Sequence, residues 1–125
     1  MTKILIADDK PEVVELVRAI LEDELYQVLA ASSGEVALKR IREEKPDLVL
    51  LDLEMPTMSG FEVLKKLKEN SLTEQIPVIM LTAGGRPADK DEARRRGAHD
   101  YVTKPFSPSD LLMKIHKILT SAQGG

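Results

Sequence analysis

Leu48-Val49-Leu50-Leu51-Asp52-Leu53-Glu54-Met55-Pro56 is the stretch whose reading decides the fold. Four apolar residues in a row, preceded by Pro46-Asp47 and followed by Pro56, Ser59 and Gly60, read as a strand buried on both faces. That strand ends at Asp52. A carboxylate directly after a buried strand is costly unless an opposite charge meets it or the strand end opens into a cleft. The rest of the chain has to supply whatever meets Asp52.

On the N-terminal side, Ile4-Leu5-Ile6-Ala7 is a first strand, stopped by Asp8-Asp9-Lys10-Pro11. Pro11 opens a helix that runs from Glu12 to about Leu25, with Val13, Leu16, Val17, Ile20 and Leu21 on one stripe. Gln27-Val28-Leu29-Ala30-Ala31 is a second strand, and Ser32-Ser33-Gly34-Glu35 has the form of a capping box. The helix it starts carries Val36, Ala37, Leu38 and Ile41 and ends before Pro46.

On the C-terminal side, Ser59-Gly60-Phe61-Glu62 offers another capping box, with Phe61, Leu64 and Leu67 facing inward. Pro77 to Thr82 is a fourth strand, followed by Ala83-Gly84-Gly85-Arg86-Pro87 and a helix from Ala88 to Arg96 that stops at Gly97. That helix has only alanines for an apolar stripe and relies on the pairs Asp91/Arg95 and Glu92/Arg96, each worth ~0.2–0.5 kcal/mol. It is expected to be the most weakly docked. Asp100 to Thr103 is a fifth strand, and Ser107-Pro108 starts a last helix with Leu111, Leu112, Ile115, Ile118 and Leu119 inward. Residues 1–121 are expected to form one domain and 122–125 a disordered tail. Strand and helix alternate throughout, which predicts an α/β, doubly wound (βα)5 fold with a five-stranded parallel sheet, right-handed crossovers and helices on both faces.

Composition narrows the function. A chain of 125 residues with 42% hydrophobic content supports a single core. The net charge of -3 is mixed along the chain, against direct nucleic-acid or membrane binding by bulk charge. No cysteine is present, so thiolate chemistry is excluded and a cytoplasmic location is allowed. No apolar run suits a signal peptide or a bilayer span.

In a parallel sheet the residues just past the strands converge on one edge. Here these are Asp8-Asp9, Asp52, Thr82 and Lys104. Three carboxylates held together repel one another, which a divalent cation among them would relieve. An all-oxygen ligand set favours Mg2+ or Mn2+. A magnesium, a lysine and a hydroxyl around a carboxylate are what a phosphoryl group needs, and Asp52 is the best nucleophile because its strand is the most buried.

Asp8-Asp9, Asp52 with Met55-Pro56 and Gly60 behind it, Thr82-Ala83, and Tyr101 ahead of Lys104-Pro105-Phe106 together resemble the receiver domain of two-component response regulators, over essentially the whole chain. The resemblance implies a flavodoxin-like strand order 2-1-3-4-5. It implies that a sensor histidine kinase, or a histidine phosphotransfer protein, gives its phosphoryl group to Asp52, the chain catalysing only this transfer to itself and slow autodephosphorylation. Asp9, Asp52 and the Glu54 carbonyl would hold Mg2+, with Asp8 reaching it through water. Thr82 and Lys104 would bind the phosphoryl oxygens, Tyr101 would turn inward with Thr82, and Lys104-Pro105 would be a cis peptide. A face made of the fourth helix, fifth strand and fifth helix would then control a downstream protein or a self-dimer, with Lys114 and Asp100 placed for dimer contacts.

Taken singly, these residues have plainer explanations. Asp8 and Asp9 could cap the first helix, Thr82 could be an ordinary strand end, Lys104 a solvated lysine and Tyr101 core packing with a wet hydroxyl. His99 and His116 carry no motif and read as surface residues. A flavin carrier of the same fold would need a Ser/Thr/Gly-rich loop after the first strand, the opposite of Asp8-Asp9-Lys10-Pro11. An aspartyl-phosphate hydrolase remains an alternative, because Glu54 stands two residues after Asp52, where an acid/base would be. Glu54 and Gly84 are also the positions expected to set the lifetime of an acyl phosphate. The chain ends soon after the last helix, as either a stand-alone receiver or a fragment.

Overall fold

A computed structural model describes residues 1–84 and 87–124. Gly85, Arg86 and Gly125, which belong to the expected glycine loop and tail, lie outside the described residues. The elements are β1 (Lys3–Ala7), α1 (Pro11–Asp23), β2 (Gln27–Ala31), α2 (Gly34–Glu44), β3 (Leu48–Asp52), α3 (Gly60–Lys68), β4 (Val78–Thr82), α4 (Pro87–Arg95), β5 (Asp100–Thr103) and α5 (Pro108–Gly124). All neighbouring strands pair in parallel, in the order β2-β1-β3-β4-β5. This is the expected doubly wound order.

β3 lies in the middle and all five of its residues are buried. Its alternation divides the core. Val49 and Leu51 join Leu5, Val78 and Met80 under α2, α3 and Ala93 of α4, while Leu48 and Leu50 join Ile4, Ile6, Ile79 and Leu81 under α1 and α5. A continuous apolar run was required because both faces are covered.

Four local expectations are corrected. Leu16 is 50% exposed, because the buried arc of α1 is centred on Val17 and Leu21, with Val14 at its edge instead of Leu16. Val36, in the first turn of α2, is likewise exposed. Ser33, not Ser32, caps α2 by accepting a hydrogen bond from the Val36 N–H at 3.2 Å. Glu35 is thereby released from a capping box, and its carboxylate accepts the Thr57 hydroxyl at 2.8 Å. In α4, Arg95 pairs with Glu92 at 2.7 Å in place of Asp91, while the expected Glu92/Arg96 pair forms at 2.8 Å. Both bonds use the two oxygens of one carboxylate. α5 runs to Gly124.

The join between β3 and α3 places the strand end. Ser59 caps α3 by accepting from the Glu62 N–H at 3.3 Å, and the Gly60 N–H donates to the Leu53 carbonyl at 2.9 Å. A Cβ at Gly60 would collide with the Asp52 carbonyl oxygen and lie 2.9 Å from Leu53 Cα. These are backbone atoms and cannot step aside. Gly60→Ala is therefore expected to lower stability by about 2–3 kcal/mol in urea unfolding, whereas an unchanged midpoint would show that α3 does not press on the Asp52 peptide.

Candidate functional site

The ends of β1, β3 and β5 build an acid cup around one lysine. Asp52 is the last residue of β3 and is 2% exposed; Asp8, one residue past β1, is 1% exposed. Lys104, directly after β5, puts its ammonium 2.7 Å from Asp8 Oδ2 and 3.2 Å from Asp52 Oδ1. Its backbone N–H donates to the Thr82 carbonyl at 2.7 Å, and its bond to Pro105 is cis, as expected. Lys104 is thus fixed at both its ends.

The carboxylates are unevenly satisfied. Asp8 Oδ1 accepts the Lys10 N–H at 2.9 Å, so neither Asp8 nor Asp9 acts as the helix cap: the N-cap of α1 is Lys10, without a side-chain bond. Asp52 Oδ1 accepts from Lys104 and from the Glu54 N–H at 3.3 Å. Asp52 Oδ2 is buried and has no hydrogen-bond partner. Burial, followed by the Asp8 charge, pushes the Asp52 carboxyl above its ordinary range, against the pull of Lys104 and the Glu54 N–H. An orphaned, buried carboxylate oxygen costs free energy of order 1–3 kcal/mol. It is a position that asks for a cation or for a covalent bond.

One oxygen each from Asp8, Asp9 and Asp52 lies within 4.8 Å of the other two. This hard-oxygen set, together with the orphaned Asp52 Oδ2, fits a small divalent cation. Thr82 closes the other side: it is buried at the end of β4, one residue beyond Leu81, the register partner of Asp52. Glu54 is exposed at the mouth, joined to Asp52 through its backbone N–H.

Tyr101 is half-buried beside Met80 in register and packs against the core under α2 and α3. Its ring is ringed by cations: Lys90 Nζ at 4.6 Å, Arg94 at 5.1 Å and Lys114 Nζ at 5.3 Å from the centroid. Lys114 also donates to the Tyr101 carbonyl at 2.9 Å and pairs with Asp110 at 3.4 Å. His99 and His116 are exposed, as expected, and His99 Nδ1 accepts the Val78 N–H at 3.4 Å. A hollow of about 420 Å³ next to His99 lies at the opposite end of β4 and β5, away from the cup.

Two features escaped the sequence. Lys10 reaches into the cup, 3.3 Å from Asp9 Oδ1 and 4.0 Å from Asp52 Oδ2, and the only sign was its place between Asp9 and Pro11. Thr57, a β-branched residue at φ 64°, sits in the left-handed region within the loop between Asp52 and α3. Its hydroxyl bond to Glu35 ties that strained loop to α2.

The chain and its fold have known relatives. The chain matches the family model for the response regulator receiver domain over residues 4–116. It is 40% identical to Protein PilH of Pseudomonas aeruginosa over 119 residues, covering 95% of this chain and 98% of that one. It is 42% identical over 121 residues to the alkaline phosphatase synthesis transcriptional regulatory protein PhoP of Bacillus subtilis, covering 97% of this chain. The chain spans about half the length of that relative and of several others: 50% of PhoP and 51% of the phosphate regulon transcriptional regulatory protein PhoB of Escherichia coli. Among solved structures, the chemotaxis response regulator CheY4 of Vibrio cholerae superimposes with a TM-score of 0.89 at 33% identity, covering 94% of this chain and 98% of that one. The chain belongs to the response regulator receiver domain family.

Proposed function

We propose that Asp52 is the phosphoacceptor of a two-component relay, and that the observation carrying this is its buried, unpartnered Oδ2 beside two further carboxylates and a lysine. A carboxylate oxygen of Asp52 attacks phosphorus on a phosphohistidine of a sensor kinase or phosphotransfer protein. The new P–O bond forms as the P–N bond breaks, and the electron pair stays on the imidazole, which carries a proton on its other nitrogen and leaves neutral. Asp9, Asp52 and the Glu54 carbonyl, with Asp8 behind them, are the residues to hold Mg2+, which would neutralise the charge on the phosphoryl oxygens. Lys104 already faces Asp52 and needs only to exchange a carboxylate oxygen for a phosphoryl one, with Thr82 supplying a hydroxyl donor from β4.

Phosphorylation adds charge at a site whose donors sit at the ends of β4 and β5. Drawing Thr82 inward moves Ala83-Gly84, and Tyr101 must then leave Lys90 and Arg94 of α4, so α4, β5 and α5 change together. That face is where a downstream protein or a second copy reads the state. The activity is self-modification, not turnover of an external substrate. No helix among the described residues is long and apolar enough to cross a membrane.

Incubation with acetyl phosphate and Mg2+ is expected to add the mass of one phosphoryl group, lost in Asp52→Asn and when the metal is chelated. A folded sample that gains nothing would overturn the proposal.

The raised Asp52 pKa also has a stability sign. Its contribution is present below the ordinary carboxylate range and is lost as pH rises through the elevated folded value, so ionised Asp52 costs stability at neutral pH. In metal-free buffer at neutral pH, Asp52→Asn should melt above the parent, with the gain shrinking on acidification. Mg2+ should stabilise the parent and close the gap. A lower melting point for Asp52→Asn in metal-free buffer would mean that Lys104 overcompensates the cup.

A further inference from the structure

Lys10 was not among the expected site residues, and its position is at odds with a metal among the same carboxylates. Its ammonium lies 3.3 Å from Asp9 Oδ1 and 4.0 Å from the orphaned Asp52 Oδ2. These belong to two of the three residues whose oxygens converge within 4.8 Å. We propose that Lys10 is a tethered competitor of the metal, an internal cation that must withdraw from Asp9 and Asp52 before a divalent ion can load. This rests on the metal reading of the cup given above.

The backbone of Lys10 is pinned and its side chain is not. Its N–H donates to Asp8 Oδ1 at 2.9 Å, its carbonyl accepts from Val13 and Val14 at 3.1 and 3.2 Å, and Pro11 follows it into α1. The side chain, by contrast, is 48% exposed and can swing into solvent. Lys104 is its opposite, 15% exposed and held by both Asp8 and Asp52. The two lysines therefore have separate tasks. Lys104 stays through the cycle, whereas Lys10 is the one free to leave.

Charge gives the reason for the departure. Asp8, Asp9 and Asp52 with both lysines leave one net negative charge, while the cup with Lys104 alone leaves two, the number a divalent ion neutralises. A half-exposed ammonium–carboxylate pair is worth about 0.2–1 kcal/mol, so the ion can displace Lys10 at a modest cost. Lys10 thus lowers metal affinity without blocking the site.

The test is calorimetric titration of Mg2+ into the full chain, comparing the parent, Lys10→Gln, and Lys39→Gln as a charge-matched control on the exposed face of α2. The expected result is that Lys10→Gln binds Mg2+ roughly fivefold more tightly, with Lys39→Gln unchanged. Equal or weaker binding in Lys10→Gln, beside measurable binding in the parent, overturns the competitor and leaves the metal reading standing. The same tightening in Lys39→Gln also overturns it, because net charge alone would then suffice. No binding in either the parent or Lys10→Gln overturns the metal reading and this inference together.

Discussion

The structure depends on one contact, the Lys104 ammonium between Asp8 and Asp52 at 2.7 and 3.2 Å. It joins the ends of β1, β3 and β5, which no local interaction brings together, and permits two buried acids to stand side by side. Removing one member of a buried ion pair strands the others, so these residues form a unit. Yet the compensation is incomplete. One oxygen of Asp52 remains without a donor, and the fold holds that deficit at the end of its most buried strand. A second cation and a phosphoryl group are the chemical means of relieving it, and the proposed function is that relief made conditional on a donor.

The fold was legible in the sequence because its decisive signals do not depend on tertiary detail. A run such as Leu48 to Leu51 has to be covered on both faces, and βα alternation with short connections forces a parallel sheet. Once the sheet is parallel, Asp8, Asp52 and Lys104 meet whatever their separation in the chain. The strand order came from family resemblance, since alternation alone does not decide which strand lies in the middle.

Failures occurred where the outcome depended on docking. Helical periodicity gives an apolar arc, but the sheet selects its centre, and it chose Val17 and Leu21 over Leu16. Ser32 and Ser33 are equally able to cap, and the bond from the Val36 N–H decides between them. Lys10 escaped for a related reason: a lysine in a polar turn beside Asp9 reads as solvated, and only the converging strands bring it to Asp52. The cations around Tyr101 come from α4 and α5 and are invisible until those helices pack on β5. Among the described residues, α4 joins the core through Ala93 and is braced by Glu92 to Arg95 and Arg96, a light attachment that suits the switching proposed above.

The central claim is that topology makes Asp52, alone among the clustered acids, the residue that forms the acyl phosphate. Borohydride reduction after treatment with acetyl phosphate and Mg2+ converts an aspartyl phosphate to homoserine at the modified position, which peptide mass spectrometry then locates. The account predicts homoserine at residue 52 and at no other acid. Homoserine at Asp8, Asp9 or elsewhere, with Asp52 intact, would contradict it.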